Sequence, residues 1–227
     1  MTPADASVLR AASAHVLVDD VGTVTVDEPA AHHLFRVLRL RPGEAVTVTD
    51  GRGAWRECRV ADGEVLVADG EIRTEPPRHD PLTVAFAIPK RDRPDWVVQK
   101  LTELGVGRIV LLHADRSVVR WDGSRADRHL DKLRRVAAEA LQQSRGVWLP
   151  TVDGPVDGTD VLAEAVAAEP GGRALGPGDR FVAVGPEGGW SERELQLARD
   201  RVDLGPTVLR VETAALVVAS RAGSHSP

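Results

Sequence analysis

Residues 181–191, which read FVAVGPEGGWS, combine the features of a ligand-binding turn. The apolar run at 181–184 is typical of a buried strand, and the Gly-Pro-Glu-Gly-Gly stretch after it is too rich in glycine and proline for helix or strand. Ser191, with Glu194 three residues later, predicts a helix start. Glycine lets backbone approach a ligand closely, and the free N–H groups of a helix start can bind it. The turn carries an acid and no lysine, which argues against a phosphate loop.

A second candidate lies at residues 204–214, which read LGPTVLRVETA. Arg210 and Glu212 stand where a short strand, predicted at 207–209, meets a terminal helix, predicted at 213–221. An arginine and a carboxylate at a strand end are suited to stabilise and move charge. The alternative is that Glu212 and Thr213 only cap the helix, which is worth about 1 kcal/mol. The pattern alone leaves both interpretations open.

The elements that must position these residues alternate between strand and helix. We predict strands at 82–88, 108–112, 181–184 and 207–209, and helices at 94–104, 125–144, 191–201 and 213–221. Residues 161–168 fit a short helix that runs into a strand. This alternation predicts a parallel α/β sheet with ligands at the carboxyl ends of its strands.

The first part of the chain is predicted to consist mainly of short strands. Short β-like segments separated by turn residues are predicted at 15–18, 21–26, 45–49, 54–60 and 65–68, with one short helix at 29–40. Several short strands at such spacing predict a small barrel or sandwich. Residues 75–81, EPPRHDP, contain three prolines and are interpreted as a linker.

Composition narrows the class of protein. The 227 residues are 42% hydrophobic and 28% charged, as expected for a soluble globular protein. The single cysteine excludes an intramolecular disulfide, and neither a signal peptide nor an apolar run of about 20 residues is recognised, so we expect a cytoplasmic protein. The net charge of −5 counts mildly against nucleic acid as a partner, although clustered arginines and lysines predict local basic faces. Scattered histidines and one cysteine predict no metal site.

Six blocks, spread over nearly the whole chain, match one known family in order and spacing. They are His32-His33-Leu34 with Val37-Leu38-Arg39 and Pro42-Gly43-Glu44; Lys90 and Trp96–Lys100 with Glu103-Leu104-Gly105-Val106; Arg116-Ser117; Gln143-Ser144-Arg145; GPEGG at 185–189; and LGPTVLRVETA at 204–214. These blocks resemble the RsmE family of 16S rRNA uridine-N3 methyltransferases, in the SPOUT superfamily of knotted methyltransferases. GPEGG alone would be a weak signal, whereas six ordered blocks are specific.

The resemblance implies an architecture. It implies a PUA-like β-barrel domain at 1–74 that helps to hold RNA, a linker at 75–81, and a SPOUT methyltransferase domain at 82–227. This second domain is α/β with a C-terminal deep trefoil knot, which no local pattern encodes. The family further implies a homodimer that binds S-adenosylmethionine in the knot and makes 3-methyluridine in the decoding region of small-subunit rRNA, with no membrane involved.

The resemblance also assigns residues to roles. The expected cofactor-binding residues are Gly185, Pro186, Glu187, Gly188, Gly189, Leu204, Gly205, Leu209, Thr213 and Ala214, and the family's first cofactor-binding turn falls at Glu169-Pro170-Gly171. The expected RNA contacts are Arg36, Arg39, Lys90, Arg91, Lys100, Arg116, Gln143, Ser144 and Arg145. Arg210 is the expected catalytic cation, and Glu212 either accepts a proton or orients Arg210. Glu187 either meets the cationic cofactor or bridges to a partner subunit. The family usually has threonine where this chain has Val211.

Two alternatives keep the scaffold but change the function. The protein could be a non-catalytic RNA-binding or ribosome-assembly factor, an idea motivated by Val211 and by an apparent shortening of residues 157–169. It could instead be a SPOUT methyltransferase that modifies tRNA, which keeps the chemistry and changes the substrate.

Overall fold

The computed structural model of the protein describes residues 2–77 and 79–223. The chain divides into two compact units. The first comprises the described residues up to 77 together with Leu141–Leu149, and the second comprises the other described residues. No helix within the described ranges is both long and apolar enough to cross a membrane.

A five-stranded mixed sheet forms the centre of the first unit. Its elements are α1 (Pro3–Ala11), β1 (Ala14–Leu17), α2 (Glu28–His32), a π-helical turn (His33–Val37), β2 (Ala45–Thr49), β3 (Ala54–Ala61), β4 (Val65–Ala68) and β5 (Arg73–Thr74). The strand order is β1-β2-β3-β4, with β5 also paired to β3. Only β1 and β2 run parallel, because the later strands are joined by tight turns that reverse the chain.

Apolar side chains from the sheet and the helical segment form the core of this unit. They include Val16, Val46, Val48, Cys58, Val60, Leu66, Leu34 and Phe35. The strand predicted at 21–26 is wrong, because Asp20 closes a turn there by accepting the backbone N–H groups of Gly22 and Val24. Val21 and Val24 still reach the core from that turn. The helix predicted at 29–40 ends early, at Val37, and Arg39 has a left-handed φ of 55°.

The second unit is an α/β fold with a parallel sheet, which confirms the α/β part of the predicted fold. Its elements are β6 (Thr83–Ala87), α3 (Arg93–Glu103), β7 (Arg108–His113), α4 (Gly123–Ser144, the last four residues of which belong to the first unit), β8 (Thr151–Asp157), α5 (Gly158–Leu162), β9 (Val166–Ala174), β10 (Phe181–Val184), α6 (Glu192–Leu197), β11 (Asp200–Asp203) and α7 (Val211–Gly223). All six strands pair in parallel, in the order β11-β9-β10-β6-β7-β8.

Helices cover this sheet because its strands are apolar on both faces. Ala85, Ala167 and Ala183 lie side by side on β6, β9 and β10, and they pack with side chains of α5 and with Trp190. Helix α7 packs against β6, β10 and α3. Since side chains alternate between faces along a strand, this pattern produces a sheet that is buried on both sides.

Several predicted elements of this unit are confirmed and others are wrong. The strands at 82–88, 108–112 and 181–184 and the helices at 94–104 and 125–144 form with small shifts of their ends. Residues 161–168 are indeed the end of a helix followed by a strand. The helix predicted at 191–201 stops at Leu197 because β11 begins at Asp200, and no strand forms at 207–209.

Candidate functional site

A cavity of about 230 Å³ opens at the carboxyl ends of β9, β10 and β11. Ligands of open parallel sheets bind at this edge, where the loops after the strands converge. The residues that line the cavity are Ala168, Glu169, Pro170, Val184, Gly185, Pro186, Glu187, Gly189, Trp190, Asp203, Leu204, Gly205, Thr207, Val208, Leu209, Val211 and Ala214. Three loops and the start of α7 therefore form its walls.

The first wall is the glycine-rich turn after β10. A Cβ atom added at Gly185 would lie 2.9 Å from Cε2 of the Trp190 indole, so only glycine fits there without a shift of the indole. Trp190 is buried, and its Nε1 donates to the Ala168 carbonyl at 3.2 Å. The helix start predicted after this turn is confirmed, because Ser191 and Glu194 form a reciprocal capping box at α6.

The second wall is a bulge in β9. Ala167 pairs with Arg201 of β11 and Arg173 pairs with the next residue, Val202, so residues 168–172 of β9 have no counterpart on β11. A bulge of this kind bends the strand and redirects its side chains. It brings Glu169 and Pro170 to the cavity, where the turn expected from the family resemblance falls.

Asp203 fastens this bulge to the third wall, the loop after β11. Its carboxylate accepts the backbone N–H of Gly171 in the bulge at 2.8 Å and that of Gly205 in the loop at 2.7 Å. The Gly205 and Gly171 donors stabilise the charged form and lower the pKa of Asp203. Gly205 has a φ of 131°, a backbone conformation that favours glycine. One carboxylate thus fixes two of the loops that enclose the cavity.

The start of α7 closes the cavity with apolar side chains. Val211 and Ala214 line it, whereas Arg210 is exposed and its guanidinium has no hydrogen-bond or ion-pair partner within the described ranges. Glu212 Oε1 lies 3.4 Å from Nη1 of Arg93 on α3. The other carboxylate oxygen, Glu212 Oε2, is shielded from solvent and has no hydrogen-bond partner in the described part of the chain.

Most of the expected cofactor-binding residues meet at this cavity. Eight of them line it, namely Gly185, Pro186, Glu187, Gly189, Leu204, Gly205, Leu209 and Ala214. The other two do not: Thr213 is exposed, and the Gly188 carbonyl accepts a hydrogen bond from Arg116 Nη1 at 3.0 Å. The carboxylate of Glu187 has no ion-pair or hydrogen-bond partner among the described residues.

The expected RNA contacts occupy several places. In the first unit, Arg36 pairs with Glu64 at 3.1 Å, Arg39 is exposed, and Arg145 donates to the Ala12 carbonyl at 3.0 Å. Gln143 and Ser144 are exposed at the end of α4.

In the second unit, Lys90 and Arg91 are exposed in the loop after β6. Lys100 Nζ is held by the Glu103 carboxylate of its own helix at 2.7 and 2.8 Å. Arg116 lies against the glycine-rich turn. Of the residues expected to contact RNA, Arg116 is thus bound directly to a wall of the cavity.

Sequence reasoning missed some residues that the structure brings to this region. Asp203, Thr207 and Val208 line the cavity, Trp190 both packs and lines it, and Arg93 binds Glu212. Asp203 carried a usable signal, because an Asp two residues before a glycine is typical of an Asx turn. Arg93 carried no such signal in the sequence, because its partner Glu212 lies more than a hundred residues away.

Comparison with known proteins agrees with this geometry. A model of the RNA methyltransferase domain matches residues 75–223, and a model of the RNA methyltransferase PUA domain matches residues 26–67. The ribosomal RNA small subunit methyltransferase E of Mycobacterium bovis is 34% identical over 90% of this chain and 87% of its own length.

Solved structures share the fold over the same extent. A probable rRNA methyltransferase from Porphyromonas gingivalis superposes with a TM-score of 0.74 at 27% identity, covering 91% of this chain and 95% of that one. The ribosomal RNA small subunit methyltransferase E of Neisseria gonorrhoeae was solved bound to S-adenosylmethionine. It superposes with a TM-score of 0.72 at 29% identity, covering 91% of this chain and 96% of that one. The chain therefore belongs to the RNA methyltransferase family that includes the ribosomal RNA small subunit methyltransferase E enzymes.

Proposed function

We propose that this protein transfers a methyl group from S-adenosylmethionine to N3 of a uridine in the decoding region of 16S rRNA. The observation that carries the proposal is the cavity at the carboxyl edge of the parallel sheet, with three glycine-containing loops as its walls. The gonococcal relative, which has the same fold over most of the chain, was solved with S-adenosylmethionine bound.

The lining of the cavity fits this cofactor. Leu204, Leu209 and Val211 offer apolar surface for an adenine ring, and Gly185 and Gly205 have no side chain that would fill the cavity. The carboxylates of Glu169 and Glu187 at the same cavity are suited to hydroxyl groups and to a positive charge. When bound, S-adenosylmethionine supplies an electrophilic methyl group on a sulfonium.

Residues of the chain must then stabilise the negative charge that develops on the uracil. Methylation of N3 forms an N–CH₃ bond, breaks the S–CH₃ bond and releases the N3 proton, so negative charge spreads over N3 and its two flanking carbonyls. Arg210 is the proposed cation for that charge, because it is exposed and unpaired within the described ranges and stands between two lining residues, Leu209 and Val211. Glu212 was expected to accept the proton or to orient Arg210, but its carboxylate pairs with Arg93 of α3 and not with Arg210.

The rest of the molecule serves to hold the RNA. We assign residues 1–74 to a PUA-like β-barrel RNA-binding domain, 75–81 to a linker and 82–227 to a SPOUT domain with a C-terminal trefoil knot. The protein acts in the cytoplasm as a homodimer, and the residues expected to contact RNA position phosphates without reading the base sequence.

Calorimetry and turnover test this function together. The purified protein is expected to bind S-adenosylmethionine, and Arg210→Ala is expected to keep that binding while losing about a hundredfold in turnover on small ribosomal subunits, since it removes one charge-stabilising group. Arg108→Ala, which removes an exposed arginine at the start of β7 and outside the cavity lining, serves as the comparison for turnover. Absence of S-adenosylmethionine binding would contradict the proposed cofactor. Unchanged turnover of Arg210→Ala would contradict the catalytic role of Arg210.

The two alternatives receive no support from the comparisons. Cofactor binding in the calorimeter speaks against a non-catalytic assembly factor. A modified nucleotide found in tRNA and not in small-subunit rRNA would favour the tRNA enzyme.

A further inference from the structure

The starts of α3 and α7 lie together at the edge of the sheet that carries the cavity. β6 pairs directly with β10, with Phe86 opposite Val184. The loop after β6 therefore leaves the sheet beside the glycine-rich turn and leads into α3 at Arg93. Helix α7 packs against α3 and begins directly after the loop at 204–210.

An ion pair joins the two helix starts. Arg93 Nη1 lies 3.4 Å from Glu212 Oε1, and their side chains are 35% and 14% exposed. Arg93 makes no other hydrogen bond or ion pair among the described residues. Since a guanidinium carries five N–H donors in a planar fork, most of its donors stay available to a ligand.

The carboxylate of Glu212 is less accessible than the arginine. Its Oε2 is shielded from solvent and has no hydrogen-bond partner in the described part of the chain, and its Oε1 faces Arg93. A shielded oxygen cannot take a proton from a docked base unless its neighbours move. A buried carboxylate that points at one cation is instead suited to hold that cation in place.

The surroundings favour a negatively charged partner. The positive ends of α3 and α7 meet here, and Lys90 and Arg91 are exposed in the adjoining loop. Among the acids, Asp92 directly precedes α3, Asp95 on α3 is paired with Lys132, and Glu169 and Glu187 line the neighbouring cavity. A uracil that loses its N3 proton develops negative charge of the kind that this edge can stabilise.

Building on the function proposed above, we propose that Arg93 is a further substrate-facing cation of the uridine-N3 reaction and that Glu212 is the positioning residue that holds it. The planar guanidinium donates to a uracil carbonyl as charge develops there, which lowers the barrier to methyl transfer. The N3 proton leaves to water. This role replaces the reading of Glu212 as the proton acceptor.

Variants of both residues test the pair on small ribosomal subunits that lack the modification. We expect Arg93→Ala and Glu212→Gln each to lower kcat about a hundredfold, with Arg93→Lys recovering part of the loss because it keeps the charge without the fork. The double variant is expected to be no worse than either single one, since both remove the same interaction. Affinity for S-adenosylmethionine, measured by calorimetry, is expected to stay within about twofold of wild type.

The pH profile of kcat separates this role from a structural one. A cation beside the bound uracil favours its anionic form, so Arg93→Ala is expected to move the midpoint of the profile to higher pH. A loss through misfolding would lower kcat equally at every pH. Arg108→Ala, which breaks the exposed pair with Asp153 at the start of β7, is the matched control and is expected to behave as wild type.

Three results would overturn the inference. They are wild-type kcat in Arg93→Ala, an unmoved midpoint in both Arg93→Ala and Arg93→Lys, and a double variant whose losses multiply, as two independent roles would require. Failure of the wild-type protein itself to transfer methyl would contradict the proposed function and with it this role. Transfer by the wild type with an unaffected Arg93→Ala would contradict only the role of Arg93.

Discussion

At the scale of single residues, the cavity depends on side-chain size as much as on charge. The indole of Trp190 occupies the space beside Gly185, and its Nε1 anchors it to Ala168 across the sheet. The sequence predicted the glycine-rich turn as a ligand-binding feature, and eight of the ten expected cofactor residues line one cavity. The contact of Gly185 with Trp190 was beyond sequence reasoning, because it depends on where an indole five residues later folds back.

Substitution of Gly185 tests this packing. Gly185→Ala is expected to destabilise the protein by about 1–3 kcal/mol and to weaken binding of S-adenosylmethionine, because the new Cβ forces the indole to shift in a packed site. Urea unfolding and calorimetry measure the two effects. Gly178→Ala is the matched control, since nothing lies within 4 Å of a Cβ at that exposed glycine. Equal stability of the two variants would contradict the packing argument.

At the scale of elements, the apolar strands and the amphipathic helices could be predicted from the sequence, whereas the polar strands could not. β8, with the sequence TVDGPVD, and β11, with DRVD, lie at the two edges of the sheet and lack an apolar run. Their pairing comes from the neighbouring strand and not from local propensity. The bulge in β9 was likewise unpredictable, because it shows only in the register with β11.

One histidine ties distant elements of the first unit together. His15 on β1 is buried, its Nε2 donates to the Gly146 carbonyl at 2.8 Å, and its Nδ1 accepts from Thr47 Oγ1 at 2.8 Å. Burial disfavours the charged ring and lowers the pKa of His15 to about 4. The contact fastens the segment directly after α4, which begins with Arg145, to the first sheet.

The free energy of unfolding is therefore expected to decrease as the pH is lowered through a defined range. Between the ordinary pKa of 6.5 and about 4 the unfolded chain binds a proton that the folded His15 does not, so stability is lost as pH falls through this range. The loss approaches the order of 3 kcal/mol near pH 4. Urea unfolding at pH 7 and pH 4.5 measures it. His15→Gln is expected to flatten this slope, whereas the exposed His33→Gln should keep it; equal slopes in both variants would contradict the assignment.

At the scale of the whole molecule, the sequence predicted two different textures, and the chain does divide into two units. The sequence did not predict that residues 141–149 belong to the first unit. A segment that packs with a distant part of the chain shows no local sequence pattern that would reveal it. The family blocks supplied what periodicity could not, namely the cofactor, the RNA substrate and the expectation of a knot. Membership of the RNA methyltransferase family rests on matches that span most of both units.

The central claim is methylation of one uridine at N3 in small-subunit rRNA. Small subunits from a strain without the activity, incubated with the protein and isotopically labelled S-adenosylmethionine, test it most directly when the product nucleotide is identified by mass spectrometry and mapped. The account predicts one labelled 3-methyluridine in the decoding region of 16S rRNA and none in a parallel tRNA pool. Label in tRNA, at another atom of the base, or nowhere in the subunit would contradict it.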